Sequence, residues 1–174
     1  MTKIYNSLNI TIPYDFFVNS AITNWYDIRL AINSKYLSAN AAIEYAVDKL
    51  QEEDCTHDVL DLSLLSFENE VYMHSLVPYI DRLADSVEDC NKKYSKDKLL
   101  YILLKWIFEN QVFFKDSLKA IDYVYEDFDR PTSMNSFVYW LPRQDSFSSS
   151  KYDWRSNLYY NWECFLNQQK RKWS

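Results

Sequence analysis

The chain contains no glycine in 174 residues, where average usage near 7% would give about twelve. Glycine supplies the positive-φ positions of tight hairpins, so a hairpin-rich β protein is hard to build from this sequence. The same absence removes the Walker loop, the Rossmann fingerprint and the kinase glycine loop, each of which brings backbone without a Cβ close to phosphate. The familiar kinds of nucleotide-dependent chemistry are therefore disfavoured. Helices can still end on asparagine, and Asn33 and Asn110 are placed where such C-caps are expected.

Apolar spacing favours helices along most of the chain. Phe17, Ala21, Trp25, Ile28 and Ile32 form one stripe behind Pro13, which predicts a helix starting there. Ala39, Ala42, Ile43, Ala46, Val47 and Leu50 form a second, with Ser38 as its N-cap. Thr56 is placed to cap a short helix carrying Val59, Leu62 and Leu65. Tyr72, Leu76, Tyr79, Ile80, Leu83 and Val87 define the next stripe, which Pro78 interrupts, predicting two helices or one kinked helix. Behind Ser95, the run KDKLLYILLKWIFEN leaves little polar face and reads as a buried central helix. Asp116 suits the N-cap of a helix burying Leu118, Ile121, Val124, Tyr125 and Phe128 and stopped by Pro131. A short helix is expected around SFVYWL, and a long terminal helix is marked by Trp154, Leu158, Trp162, Phe165 and Leu166.

These elements predict an all-α, single-domain helical bundle of about seven to eight helices over residues 1–174, with 142–151 a surface loop before the C-terminal helix. A chain of this length can bury roughly two-thirds of the surface it exposes when unfolded, so no disulfide or metal staple is required. Aromatics make up 18% of it, so large rings are expected to dominate the interior.

Cys55, Cys90 and Cys164 are odd in number, widely separated and in no CxxC pair; with only His57 and His74 as further soft ligands, they predict neither a zinc site nor a disulfide framework. Free thiols in a reducing cytoplasm is the expectation. The N-terminal segment lacks the pattern of a signal peptide, and no apolar run approaches membrane-spanning length. The expected protein is cytoplasmic, with no cofactor, no metal and no membrane or direct nucleic-acid partner.

Formal net charge is −6, but its distribution says more than its sum. From Glu44 to Asp89 there are thirteen Asp and Glu against only Lys49 and Arg82, a local net charge of −11. On a continuous helix Glu70, His74, Asp81, Asp85 and Glu88 would project within about one sixth of a turn of one another, at 100° per residue. Such a ridge is either a solvated helix face or a docking surface for a basic partner. The candidate binding residues are Asp54, Asp58, Asp61, Glu70, Asp81, Asp85 and Glu88. The basic cluster Lys170, Arg171 and Lys172 complements a helix C-terminus and does not resemble a phosphate-binding groove.

No residues are assigned a catalytic role. His57 and Asp61 are spaced to face one another on a helix, but no HExxH or ExxH motif supplies further metal ligands. Serines, cysteines and histidines lie in no GxSxG-like signature. Aromatic groups such as Tyr123, Tyr125 and Phe128 have helical spacing, which points to core packing and not to a base-stacking platform.

The stretch LLKWIFENQVFFKDSLKAIDYVYEDFDRPTSMNSFVYWLP, followed by LYYNWECFLNQQKRKW, resembles the bacterial family known as domain of unknown function 2247. Tyr125, Asp127, Phe128, Asp129, Pro131, Phe137, Val138 and Pro142 carry the likeness, which covers roughly Leu99 to Trp173 with a weaker echo in ITNWYDIRLAIN. In physical terms Tyr125 and Phe128 are expected to pack inward, Asp129 to bond turn amides, and Pro142 to end a helix. Relatives of this type look like immunity proteins of polymorphic or contact-dependent toxin systems. The resemblance brings no catalytic residues with it. It implies a protein that binds a cognate toxin domain, such as a nuclease, and covers its active site with an acidic surface. The alternatives are a non-catalytic intracellular adaptor or regulatory subunit and, behind it, a metal-assisted hydrolase.

Overall fold

A computed structural model of the chain describes residues 3–50, 56–65, 73–141 and 154–173. The regular structure among these residues is all helical, with no strand. In order the helices are α1 (Tyr14–Ser20), α2 (Trp25–Asn33), α3 (Asn40–Lys49), α4 (His57–Ser63), α5 (Met73–Asp85), α6 (Asp89–Lys92), α7 (Ser95–Glu109), α8 (Ser117–Asp127) and α9 (Trp154–Trp173). Short 3-10 turns occupy Gln111–Phe113 and Thr132–Met134. The chain gathers into two compact units, residues 10–99 and residues 1–9 with 100–174.

The single helix expected behind Pro13 is two. Ala21 turns extended at φ −159°, and Asn24 starts α2 with a capping box: its Oδ1 accepts from the Asp27 amide at 3.0 Å while Asp27 Oδ2 accepts from the Asn24 amide at 3.0 Å. This local pairing outweighs the continuous apolar stripe, because it satisfies amides that a new helix start would otherwise leave bare. Phe17 and Ile28 are still fully buried, each on its own helix.

In α3 the small side chains Ala41, Ala42 and Ala46 are fully buried, whereas Val47 and Leu50, expected inside, are exposed. Pro78 lies within α5 without dividing the described helix into two. Leu76, Ile80 and Leu83 form its buried stripe as the spacing predicted. Helix α7 is buried from Lys98 through Leu104 and again at Ile107, confirming a buried apolar helix and adding a lysine that the pattern did not foresee. That lysine has a reason: Lys98 Nζ donates to Asp27 Oδ2 at 2.5 Å, so the first turn of α7 is tied to the capping box of α2.

Asp116 caps α8 as expected, accepting from the amides of Leu118 and Lys119. All five residues predicted for its inner face are buried. The short helix expected around SFVYWL is instead a 3-10 turn beginning four residues earlier, at Thr132, and Phe137 and Val138 are buried beyond it. Trp162 sits among Phe108 (4.9 Å, edge-on), Phe137 (6.4 Å, stacked) and Tyr159 (6.1 Å, stacked). The predicted surface loop at 142–151, and Pro142 with it, lies outside the described residues.

The absence of glycine is solved at the helix ends in an unexpected way. Lys35 adopts φ 63° after α2, and Asp129 adopts φ 67° after α8. At both ends the next amide bonds back five residues: Tyr36 N to Ala31 O at 2.8 Å, and Arg130 N to Tyr125 O at 2.8 Å. These are Schellman closures built on lysine and aspartate where glycine is usual. Asn33 and Asn110 do not take this role, since neither has positive φ.

Candidate functional site

The acidic residues singled out in the sequence fall in the 10–99 unit, and those described cluster on α4, α5 and the turn that follows. Asp58, on the first turn of α4, receives a forked contact from Arg82 of α5: Nη2 to Oδ1 at 2.7 Å and Nε to Oδ2 at 3.1 Å. The hydrogen bond from Arg82 holds the Asp58 carboxyl below the usual carboxylate range. Asp81 and Asp85, one turn apart on α5, share Arg29 of α2, whose Nη1 reaches them at 3.3 and 2.8 Å. Asp61 meets His57 Nδ1 at 3.3 Å, the i,i+4 pair that the spacing predicted.

Glu88 departs from the expected ridge. Helix α5 ends at Asp85, and Glu88 is the residue preceding α6, where its carboxylate accepts from Cys90 Sγ at 3.4 Å. Asp54 and Glu70 lie outside the described residues. The structure therefore brings Asp81 and Asp85 together, places Asp58 and Asp61 on the neighbouring helix α4, and sets Glu88 apart. The face is also less bare than a count of carboxylates suggests, because Arg29 and Arg82 stand among them. Sequence spacing located the acids on α5 but had no means of showing that α2 delivers an arginine to them.

Beside these carboxylates lies a cleft of about 270 Å³, floored by Ile32, Ala39, Leu76, Val77 and Ile80, with Arg29, Lys35 and Asp81 among its polar lining. Its position follows from the Schellman turn after α2: Lys35 in the left-handed region swings the chain back toward α3 and leaves Ile32 and Ala39 facing the apolar side of α5. Asp85 is 70% exposed and Asp81 51%, so both can reach a partner while Arg29 restricts their rotamers.

Three further polar groups escaped the sequence reading. Asp27 and Lys98 form a buried ion pair through Asp27 Oδ2, while Asp27 Oδ1 has no hydrogen-bond partner among the described residues. Tyr14 donates to Asp48 at 2.5 Å; burial and then this carboxylate push the phenol well above its ordinary range. Asp127, buried at the end of α8, receives the Ser7 amide at 2.8 Å and the Ser7 hydroxyl at 2.6 Å, fastening the N-terminal segment. Asp127 belongs to the motif that carries the family resemblance, and its role there is structural. Asp129, expected to bond turn amides, contributes instead its positive φ.

Among the described residues no group of three or more His, Cys, Asp or Glu is arranged to hold a metal ion, and no helix is long and apolar enough to cross a membrane. No curated protein and no solved structure matches the chain. A family match, in contrast, extends well beyond the second-half motifs, over residues 14–170, and so takes in the α4–α5 face as well. The chain thus belongs to the DUF2247 family, described as uncharacterized protein conserved in bacteria.

Proposed function

We propose that this protein is an immunity protein of the bacterial cytoplasm, which binds a cognate toxin domain stoichiometrically and covers its active site with the face built by α2, α4 and α5. The observation that carries this reading is the pairing of an apolar cleft with carboxylates held in place beside it. An apolar centre with a polar rim is the anatomy of a specific protein interface. Arg29 and Arg82 lower the entropy lost when the carboxylates engage a partner, since their rotamers are restricted beforehand. The 10–99 unit as a whole carries sixteen Asp and Glu against eight Lys and Arg, a field that speeds encounter with a cationic surface. A nuclease toxin, whose substrate groove must attract phosphate, presents such a surface.

Co-expression with the toxin domain encoded directly upstream tests the proposal, scoring growth rescue and co-purification together. Rescue with a stable complex is the expected result. A triple Asp61→Asn, Asp81→Asn and Asp85→Asn variant should then lose affinity, with the larger loss at low ionic strength. A toxin that still kills in the presence of the folded wild-type chain overturns the immunity reading and leaves an intracellular adaptor as the function to pursue.

A further inference from the structure

A second surface lies in the other unit, at the turn that links α7 to α8. Val112 is 87% exposed and Phe113 73%, two adjacent large apolar side chains presented to solvent. Isolated exposed apolar residues are common, but this pair is held out by specific bonds. Asn110 Nδ2 donates to the Trp106 carbonyl at 2.8 Å and Gln111 Nε2 to the Phe108 carbonyl at 3.0 Å, satisfying the last turn of α7. The Phe113 amide closes the 3-10 turn on Asn110 O at 3.0 Å. Trp106 braces the turn from beneath, stacked on Phe113 at 6.5 Å and edge-on to Phe114 at 6.1 Å. The turn and the Phe113 ring are thus placed before any partner arrives, which lowers the ordering entropy that opposes binding.

The charges around the turn are sorted by sign. Glu109 is paired with Lys105 at 3.0 Å and Asp116 with Arg155 at 2.9 Å, so the nearby carboxylates are already engaged within the chain. Lys115 and Lys119 are exposed and make no ion pair among the described residues, Lys119 meeting Asp122 on the next turn of α8 only through a longer-range attraction. An apolar tip flanked by two available cations complements an apolar pocket rimmed by carboxylates. A lipid surface fits less well, because two side chains and two lysines supply less than the single acyl chain that itself gives only marginal membrane binding.

We propose that Val112 and Phe113 form a preformed anchor that inserts into an acid-rimmed apolar pocket of a partner protein, with Lys115 and Lys119 engaging the rim. This turn belongs to the unit of residues 1–9 and 100–174, and its role does not depend on whether the partner of the 10–99 unit is a toxin.

The test replaces Val112 with the photo-crosslinker p-benzoylphenylalanine in the full chain, expressed in the bacterium of origin and irradiated in living cells. The expected result is a single protein adduct whose crosslinked peptide is apolar and flanked by Asp or Glu. Its yield should fall about tenfold with Phe113→Ser, from loss of a buried ring, and comparably with Lys115→Glu and Lys119→Glu combined. The charge-reversed variant leaves the Trp106 stack untouched, so its effect is readable even if Phe113→Ser loosens the turn. No adduct, an adduct to lipid or to a second copy of this chain, or a yield unchanged by charge reversal would each overturn the proposal.

Discussion

Residues 10–99 hold sixteen of the twenty-five acidic side chains, seven of the eight alanines and one of the six tryptophans. The other unit, 1–9 with 100–174, holds eleven of the nineteen basic side chains, one alanine and five tryptophans. The first unit packs α2 with α3 and α5, and α4 with α3 and α5. Small side chains at Ala31, Ala41, Ala42, Ala46 and Ala84 allow close approach of backbones, and ion pairs from Arg29, Arg82 and Lys98 set which helix faces which. The second unit relies on rings, with Trp162 touching three of them. Close helix approach leaves charged side chains at the surface free to make a recognition field, whereas ring packing spends its large residues inside. The difference accounts for the acidic face and its cleft in the first unit; the exposed Val112–Phe113 turn of the second runs against it and is held by its own local bonds.

The largest expected effect tests the ring-built unit. Trp162→Ala removes a fully buried indole from contact with Phe108, Phe137 and Tyr159, and should cost about 4–5 kcal/mol in urea denaturation. A loss below about 2 kcal/mol would mean that this interior collapses readily and that the rings are not its determinant. Next comes the ion-paired unit. Lys98→Met leaves Asp27 buried without its counter-charge and should cost about 3 kcal/mol. Adding Asp27→Asn, which keeps an acceptor for the Asn24 amide, should restore most of that loss. Without restoration, the unit's sensitivity would lie in the volume of the lysine stem and not in charge, and the contrast between the units would narrow.

A smaller effect compares the two glycine-free helix closures directly. Lys35→Gly relieves a left-handed lysine, and the gain is offset in part by the greater freedom of glycine in the unfolded chain, giving a net stabilisation of about 0.5–1 kcal/mol. Asp129→Gly should gain less, because aspartate tolerates the left-handed region better than lysine does. Thermal melts of the two single variants would rank them, and a reversed order would show that the carboxylate of Asp129 contributes no local support to its own conformation.

Much of this architecture was legible in the sequence wherever one physical effect dominated. The apolar run of α7, the inner face of α8 and its Asp116 cap, and the stripe of α5 follow from periodicity and capping alone. The split between α1 and α2 did not, because a capping box at Asn24 and Asp27 competed with an unbroken stripe and won by satisfying backbone amides. The glycine-free ends were misplaced onto asparagines because the left-handed position is set by where the helix stops, not by which nearby residue tolerates it best. At the candidate site, the i,i+4 pair His57–Asp61 was readable from spacing, and so was the placing of Asp81 and Asp85 on one face. Arg29, Lys98 and Asp127 were not, since each acts on a residue more than fifty positions away in the sequence.

The smallest effect separates burial from pairing as a source of pH dependence. Burial raises the carboxyl of Asp122 on α8, the neighbouring Asp116 and Glu126 add to it, and the Tyr139 amide and Lys119 only partly counter them. A carboxyl whose folded pKa lies above its unfolded value contributes stability that is fully present below the unfolded pKa and lost as pH rises through the folded one. Ionised Asp122 is therefore a mild liability to the folded state at pH 7. Asp122→Asn removes the charge while keeping an acceptor for the Tyr139 amide, so it should raise the melting temperature slightly at pH 7. That advantage should shrink as pH falls through the folded pKa and vanish at about pH 3, where the wild-type carboxyl is largely neutral in both states. Asp58, held low by Arg82, should behave in the opposite sense: Asp58→Asn should lower the melting temperature at pH 7, with the deficit closing as pH falls through the folded pKa of the wild-type carboxyl. Melts of both variants between pH 3 and 7 would test the contrast at its finest grain. Two profiles of the same sign would mean that the half-buried carboxylate of the ring-packed unit and the paired carboxylate of the acidic unit do not differ in the way their surroundings require.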